Sequence, residues 1–241
     1  QVEALMQKVR YFIKWSGHRV RVNWDVTERA ARYGYFFARE YGCIYLENRK
    51  PVRPTSTIYR PHTVLRDLWQ LAHYVNLHRF QGSMQNVDRV DPRYSDAGQH
   101  PHAYATAITL MSIPLFFQET KYYSDDARDE IRPLLTLYKQ HREQIYRGIV
   151  SPIGSKPDNA SWTGFQSHDM QGHCGYLTVF RERCNGETTR CLRLPHVSAG
   201  KLELRDLVSG QMAVQQLADE GEIRVDIAQP PGFRFFRYAR V

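Results

Sequence analysis

What this chain has little of is the first guide to its class. No stretch approaches the ~18–20 consecutive apolar residues of a membrane span, so no membrane partner is expected. The four cysteines, Cys43, Cys174, Cys184 and Cys191, show no metal-ligand spacing. Cys184 and Cys191 flank Asn185-Gly186, but a two-residue turn there would set Cys184 opposite Glu187. A disulfide would need a wider loop, so free thiols are expected and the redox compartment stays open. There is no glycine-rich phosphate loop and no serine-nucleophile motif, and no cofactor is implied. The net charge of +8 raises the question of nucleic acid. The arginines, however, are scattered singly from Arg10 to Arg240, without a basic run or a recognisable motif, which fits a solvated surface and no nucleic-acid partner. His100 and His102 flank Pro101, and a metal there would need further ligands, so none is assigned. Neither an initiator methionine nor a leader is present. Val2, Leu5, Met6, Val9, Phe12 and Ile13 already follow helical spacing, so the sequence reads as a fragment of a longer protein. Its compartment would be periplasmic or extracellular if that protein carries a signal peptide.

What is present is a succession of short strands ending in carboxylates. In Val20–Glu28, Val20, Val22, Trp24 and Val26 alternate with Arg21, Asn23, Asp25 and Thr27. That is either an antiparallel strand with one face in solvent or a barrel strand, apolar towards surrounding helices, with Asp25 at the C-terminal mouth. A second strand, Cys43–Arg49, sets Ile44 and Leu46 on one side and Tyr45, Glu47 and Arg49 on the other. Pro51 and Pro54 mark a loop. Pro61 opens a helix with Val64, Leu65, Leu68, Leu71, Ala72 and Val75 as its stripe. A strand near Phe80–Gln85 leads to a polar loop containing Asn86, Asp88, Arg89, Asp91, Asp96, His100 and His102. Ala103–Phe117 holds a helix and then a strand, ending in Gln118 and Glu119. Ser124 caps the next helix, which Pro133 should kink or split. Strand and helix alternating in this way is the grammar of a parallel α/β sheet or barrel.

That grammar changes near residue 150. Pro152, Gly154, Pro157 and Gly164 punctuate a linker-like stretch. Strand candidates follow at Gly175–Arg181, Arg190–Leu194, Lys201–Leu204, Gln211–Gln216, Glu222–Ile227 and Phe233–Tyr238, with turns at Ser209-Gly210 and Pro231-Gly232. These make an antiparallel β-sandwich over residues 151–241. It contains no convergent carboxylate pair, so a packing role without a ligand pocket is expected for it.

An α/β portion whose strands end in carboxylates, with a sandwich behind it, resembles the α-galactosidase-like retaining glycoside hydrolases. Asn23-Trp24-Asp25 resembles that group's strand ending in Lys-Trp-Asp, whose Asp is the nucleophile. Leu46-Glu47-Asn48 is similar to the strand before its acid/base loop. GYFFAREYG, LENRKP, LRDLWQL, FQGSMQNVDRV and SWTGFQ resemble a divergent branch of the same group. The resemblance implies a (β/α)8 TIM-type barrel of which residues 1–150 are the C-terminal half, an N-terminal remainder supplying the other half, and a sandwich at 151–241. It implies an oligosaccharide or glycoside substrate and Asp25 as nucleophile. The chain departs from the group at Asn23, where the group has Lys, and after Asn48, where its Gly-rich loop ending in Arg-Asp has no counterpart.

Retaining hydrolysis needs two carboxyl groups ~5–5.5 Å apart. Glu47, on the strand beside Asp25, is the first candidate for acid/base, against an ion pair with Arg49. Asp88 is the second, against an ordinary turn aspartate. Asp67 reads as a surface charge. Trp24, Tyr45, Asn48, Arg49, Gln81, Gln85, Asn86 and Gln118, at or near strand ends, are the candidates for holding sugar hydroxyls and C–H faces. The alternative, motivated by the missing acid/base loop, is a catalytically silent carbohydrate-binding relative.

Overall fold

The computed structural model describes residues 2–17, 19, 23–25, 43–45, 59–116, 120–217 and 221–241. Helix α1 (Val2–Trp15) opens the chain as its spacing predicts, with Leu5 and Phe12 of the expected stripe exposed. Four short strands, β1 (Asn23–Asp25), β2 (Cys43–Tyr45), β3 (Phe80–Met84) and β4 (Ile113–Phe116), form one sheet in the order β1-β2-β3-β4. Every pairing in it is parallel, so the open choice at Val20–Glu28 resolves against a solvent-faced antiparallel strand. Parallel neighbours need a long crossover, usually helical. Between β2 and β3 that crossover contains α2 (Pro61–Leu71), and between β3 and β4 it contains α3 (His102–Ala107).

One face of this sheet packs on those helices. Phe80 is buried among Leu65, Leu68 and Ile108. At Gly82 a Cβ would stand 2.6 Å from the Ser112 hydroxyl and 3.3 Å from Leu68, so the glycine lets sheet and helix approach. Met84 accepts a hydrogen bond from Thr106 of α3 on its sulfur. Phe80, Gly82 and Met84 therefore face the helices, and the alternate residues of β3 face the opposite way.

Helix α4 (Asp125–Arg147) starts where Ser124 caps it, its hydroxyl accepting from the Ala127 N–H at 3.2 Å, with Asp125 and Asp126 in the first turn. It is not split: it runs unbroken through Pro133 to Gly148. Pro133 lies in the third turn, so the one hydrogen bond it removes is set against burial of Ile131, Leu134, Tyr138 and Ile145 along the same face.

The stretch read as a linker is instead two strands. β5 (Ile149–Gly154) and β6 (Trp162–Asp169) pair antiparallel and continue into β7 (Cys174–Arg181), β8 (Thr189–Arg193), β9 (Gly200–Asp206), β10 (Met212–Leu217), β11 (Glu222–Asp226) and β12 (Gly232–Arg240). Six of them form an antiparallel sheet ordered β10-β9-β12-β7-β6-β5, and β8 pairs with β11 in a second, small sheet. Pro152 is tolerated because β5 is an edge strand of the large sheet. Gly164 is required because a Cβ there would lie 2.1 Å from the Thr178 carbonyl oxygen. Asn185-Gly186 does not close a hairpin, since β7 and β8 belong to different sheets; Cys174, Cys184 and Cys191 carry free thiols. Gly210, at φ +76°, sits in the β9–β10 turn as expected, whereas Gly232 is the first residue of β12.

The large sheet is buried on both faces along β6 and β7 and exposed at its β10 edge. Ile153, Leu177, Val179, Leu204 and Tyr238 pack against Leu192, Ile223 and Val225 of the small sheet, making the C-terminal β-sandwich. Val150, Phe165, Tyr176, Phe180 and Phe235, of opposite parity, join Leu65, Tyr104, Tyr138 and Ile145 of the helices in one core. Helices, large sheet and small sheet are thus three successive layers. Trp69 of α2 donates to the Ile153 carbonyl at 3.1 Å, and Asn76 donates to that of Gly148 at 3.0 Å, tying the end of α2 to β5. Within the sandwich a buried polar network links Gln166, His168 and Tyr238: the Gln166 amide donates to the Tyr238 hydroxyl at 2.7 Å, and His168 Nδ1 is 2.7 Å from the same oxygen. The rings of His168 and His196 stack with centroids 5.6 Å apart, and Ser151 bonds the latter at 2.8 Å. Burial pushes the pKa of both imidazoles down, and the pair's mutual repulsion adds to this at His168.

Candidate active site at the C-terminal ends of the parallel strands

Loops at the carboxyl ends of parallel strands are where α/β folds carry ligands. In the register of this sheet Asp25 pairs with Tyr45, Tyr45 with Gln81, and Gln81 with Ile113. Trp24 pairs with Ile44, and Ile44 with Phe80, in the same register. Glu47, Asn48, Arg49 and Gln118 lie outside the described residues.

On β3 the row facing away from the helices is polar. Ser83 is buried, and Gln81 and, just beyond the strand, Gln85 each hold a buried side-chain oxygen with no hydrogen-bond partner among the described residues. Two amide oxygens waiting for donors would cost stability in a closed core. Gln85, just past the carboxyl end of β3, stands where a ligand rich in hydroxyl groups could supply one; Gln81 lies nearer the amino end.

Asn86 turns the chain out of β3. Its Oδ1 accepts the Asp88 N–H at 3.0 Å, an Asx turn that starts the single 3₁₀ turn Val87–Arg89, and its Nδ2 donates to the Tyr122 carbonyl at 3.0 Å. One buried side chain thereby fixes the exit of β3 against the segment after β4. The Arg89 guanidinium lies 3.9 Å from the centre of the Tyr122 ring, a cation–π contact on the same rim. Asn86 is accordingly a scaffold for the rim.

That turn leaves the Asp88 side chain 61% exposed, with its Oδ2 2.9 Å from Nε2 of His102, which is only 8% exposed. His102 is the first residue of α3, after the extended Pro101. Its carbonyl accepts the Thr106 hydroxyl at 2.8 Å, and its ring meets that of Tyr123 edge-on at 5.6 Å. Tyr123 in turn meets Phe116 at the end of β4, and burial raises its hydroxyl pKa to about 12. Glu130 of α4 accepts the Ala103 N–H at 2.9 Å, filling one of the open donors of α3. Sequence reasoning weighed His102 only as a metal ligand. Its place at the head of a helix, fourteen residues beyond Asp88 in the same polar loop, was the available signal for the pairing. His100 is used elsewhere, its Nδ1 lying 3.1 Å from the Asp96 carbonyl oxygen. Asp67 is beside Arg66, its carboxylate 3.7 Å from the guanidinium nitrogen, on the half-exposed side of α2.

No family model and no curated protein matches the chain. Solved structures do. The galactosidase domain of the α-galactosidase–sucrose kinase AgaSK superposes over 99% of this chain with a TM-score of 0.61 at 12% identity. The chain has an α-galactosidase-like fold. The GH36 α-galactosidase AgaA from Geobacillus stearothermophilus, in a complex with raffinose, matches 75% of the chain with a TM-score of 0.59 at 10% identity, and an α-galactosidase from Lactobacillus brevis matches 75% with a TM-score of 0.51 at 11%. The α-galactosidase-like chain spans 37%, 24% and 25% of those three structures, respectively. At such identities the likeness is one of fold, and it places this chain's carboxylates in no role by itself.

A surface depression of about 530 Å³ in the sandwich is lined by Glu187, Thr189, Arg190, Cys191 and Arg224. The expectation of no pocket in residues 175–241 is corrected to this extent. The depression is open to solvent along β8 and β11 and holds a single carboxylate, so the two-carboxylate chemistry is absent from it.

Proposed function

We propose that this chain is part of a glycoside hydrolase that cleaves O-glycosidic bonds with retention, its four parallel strands belonging to a (β/α)8 barrel completed by an N-terminal remainder, and residues 151–241 forming its sandwich domain. The observation that carries the reading is the parallel pairing of Asp25 with Tyr45, the last residues of the described strands β1 and β2. The consecutive strand order with helices on one face supports the barrel, since that is how a singly wound barrel progresses. The α-galactosidase-like fold and the complexes of AgaA variants with raffinose and stachyose support a carbohydrate ligand. The unpartnered amide oxygens of Gln81 and Gln85 are suited to sugar hydroxyls.

In this reading Asp25 attacks the anomeric carbon, and a second carboxyl group protonates the leaving oxygen and then activates water. Glu47, two residues beyond the described end of β2 in sequence, and Asp88, on the rim after β3, are the two candidates for that role. In the full-length protein, a glycoside whose second step is slow should leave its sugar on the peptide containing Asp25, read by mass spectrometry. The acid/base is identified by Glu47→Gln and Asp88→Asn: the true acid, once replaced, suffers most on poor leaving groups and least on activated aryl glycosides. Sugar binding without any turnover or labelling would sink the hydrolase and leave the silent carbohydrate-binding relative.

A further inference from the structure

We propose that His102 is the positioning residue for Asp88, holding the orientation and the proton of a general acid/base carboxyl through Nε2; this rests on the reading above with Asp88 as the second carboxylate. Three observations carry it. The carboxylate is at the rim and mostly in solvent, where nothing else in its own turn fixes it, yet it meets Nε2 at 2.9 Å. The imidazole is buried and its ring meets that of Tyr123, which in turn meets Phe116 at the end of β4. The aspartate comes from the exit of β3 and the histidine from the helix leading to β4, so one bond joins the rims of adjacent strands.

The chemistry suits a group that alternates between acid and base. When Asp88 is ionised, Nε2–H donates to Oδ2; when Asp88 is protonated, Oδ2–H can donate to a bare Nε2. Either arrangement keeps the carboxyl in one orientation through both steps of a retaining reaction. Nearby, Arg89 stacks on Tyr122 and Glu130 accepts the Ala103 N–H.

The test compares His102→Asn, whose amide is too short to reach, with His102→Gln, whose amide nitrogen can replace Nε2, in the full-length protein. His102→Asn is expected to lower kcat on poor-leaving-group glycosides roughly tenfold or more, the scale of one lost bond to a charged group. KM should change little, and activated aryl glycosides should be affected less. His102→Gln should restore most of the activity. If Asp88→Asn loses turnover of poor leaving groups but His102→Asn leaves kcat and the leaving-group dependence unchanged, the positioning role is overturned and the acid/base reading stands. If Asp88→Asn leaves that turnover intact, Asp88 is not the acid and both fall. A readout free of His102 variants is the nitrogen-15 resonance of His102 Nε2, expected to change on Asp88→Asn; an unchanged resonance overturns the pairing.

Discussion

The parallel sheet and the large antiparallel sheet use the same helices as a backing and do opposite things with their other face. β3 of the parallel sheet sets Phe80 and Gly82 against the helices and turns Gln81 and Ser83 the other way. The large antiparallel sheet sets Phe165, Phe180 and Phe235 against the helices and turns Leu177, Val179 and Tyr238 into a second core. Buried polar groups are costly without partners, and in the proposed function a ligand supplies them to the polar face. An apolar face is used where only packing is required. Changes in the first sheet should therefore alter turnover with little effect on stability, and changes in the second should do the reverse.

The largest expected effect tests the first half of that contrast. Asp25→Asn in the full-length protein should lower kcat by roughly four orders of magnitude or more, the scale of losing a nucleophile, while sugar binding and the melting temperature stay near wild type. A melting temperature that falls with the activity would make Asp25 a structural residue.

The second half is tested at the shared core. Phe235→Ala should cost about 3–5 kcal/mol, as for other fully buried phenylalanines. Because Phe235 packs in the same core as Tyr104 and Ile145, helices and sheet should be lost in one transition by circular dichroism and tryptophan fluorescence. Two separated transitions would mean that the layers fold independently and that the shared core is not cooperative.

Acid should weaken the antiparallel side. Burial holds His168 and His196 neutral, with pKa values below the ordinary 6.5. The unfolded chain binds protons as the pH falls through that value, while the folded chain resists them, so stability is full above it and declines below it. Melting temperature should therefore drop between about pH 7 and pH 5. His62, His78, His100 and His141 are shifted the same way, so His168→Gln, which can still bond Tyr238, should only flatten the slope. An unchanged slope would remove the stacked pair from the account.

The smallest effect lies on the backing that both sheets share. Ser124→Ala, removing the bond to the Ala127 N–H, should cost about 1 kcal/mol, read as a shift of the denaturation midpoint without loss of kcat.

Much of this arrangement was legible in the chain, and the failures have a common cause. Strands β7 to β12 lie within two residues of where alternation and turn residues put them, and β9 and β11 show why, with burial alternating residue by residue along each. β5 and β6 were not legible. WTGFQSHD is buried on both faces, so it has no alternation to read, and Pro152 marks a strand only once its edge position is known. The strands containing Asp25, Tyr45 and Gln81 were legible from local pattern, but the register that pairs them is a tertiary fact. His102 was missed because what it does depends on a residue fourteen positions earlier.

The position of β12 in the large sheet has a consequence for the order of assembly during synthesis. β5, β6 and β7 form one antiparallel meander and β9 and β10 a hairpin, and only β12 hydrogen-bonds to both β7 and β9. A nascent chain that has left the ribosome through β11 thus holds two unjoined pieces of sheet, with β7 and β9 both exposing open edges, until residues 232–240 arrive to close the gap. Open edges of that kind are where chains pair with strangers. The interval between the emergence of β9 and that of β12 is therefore when a holding chaperone would matter most to this protein.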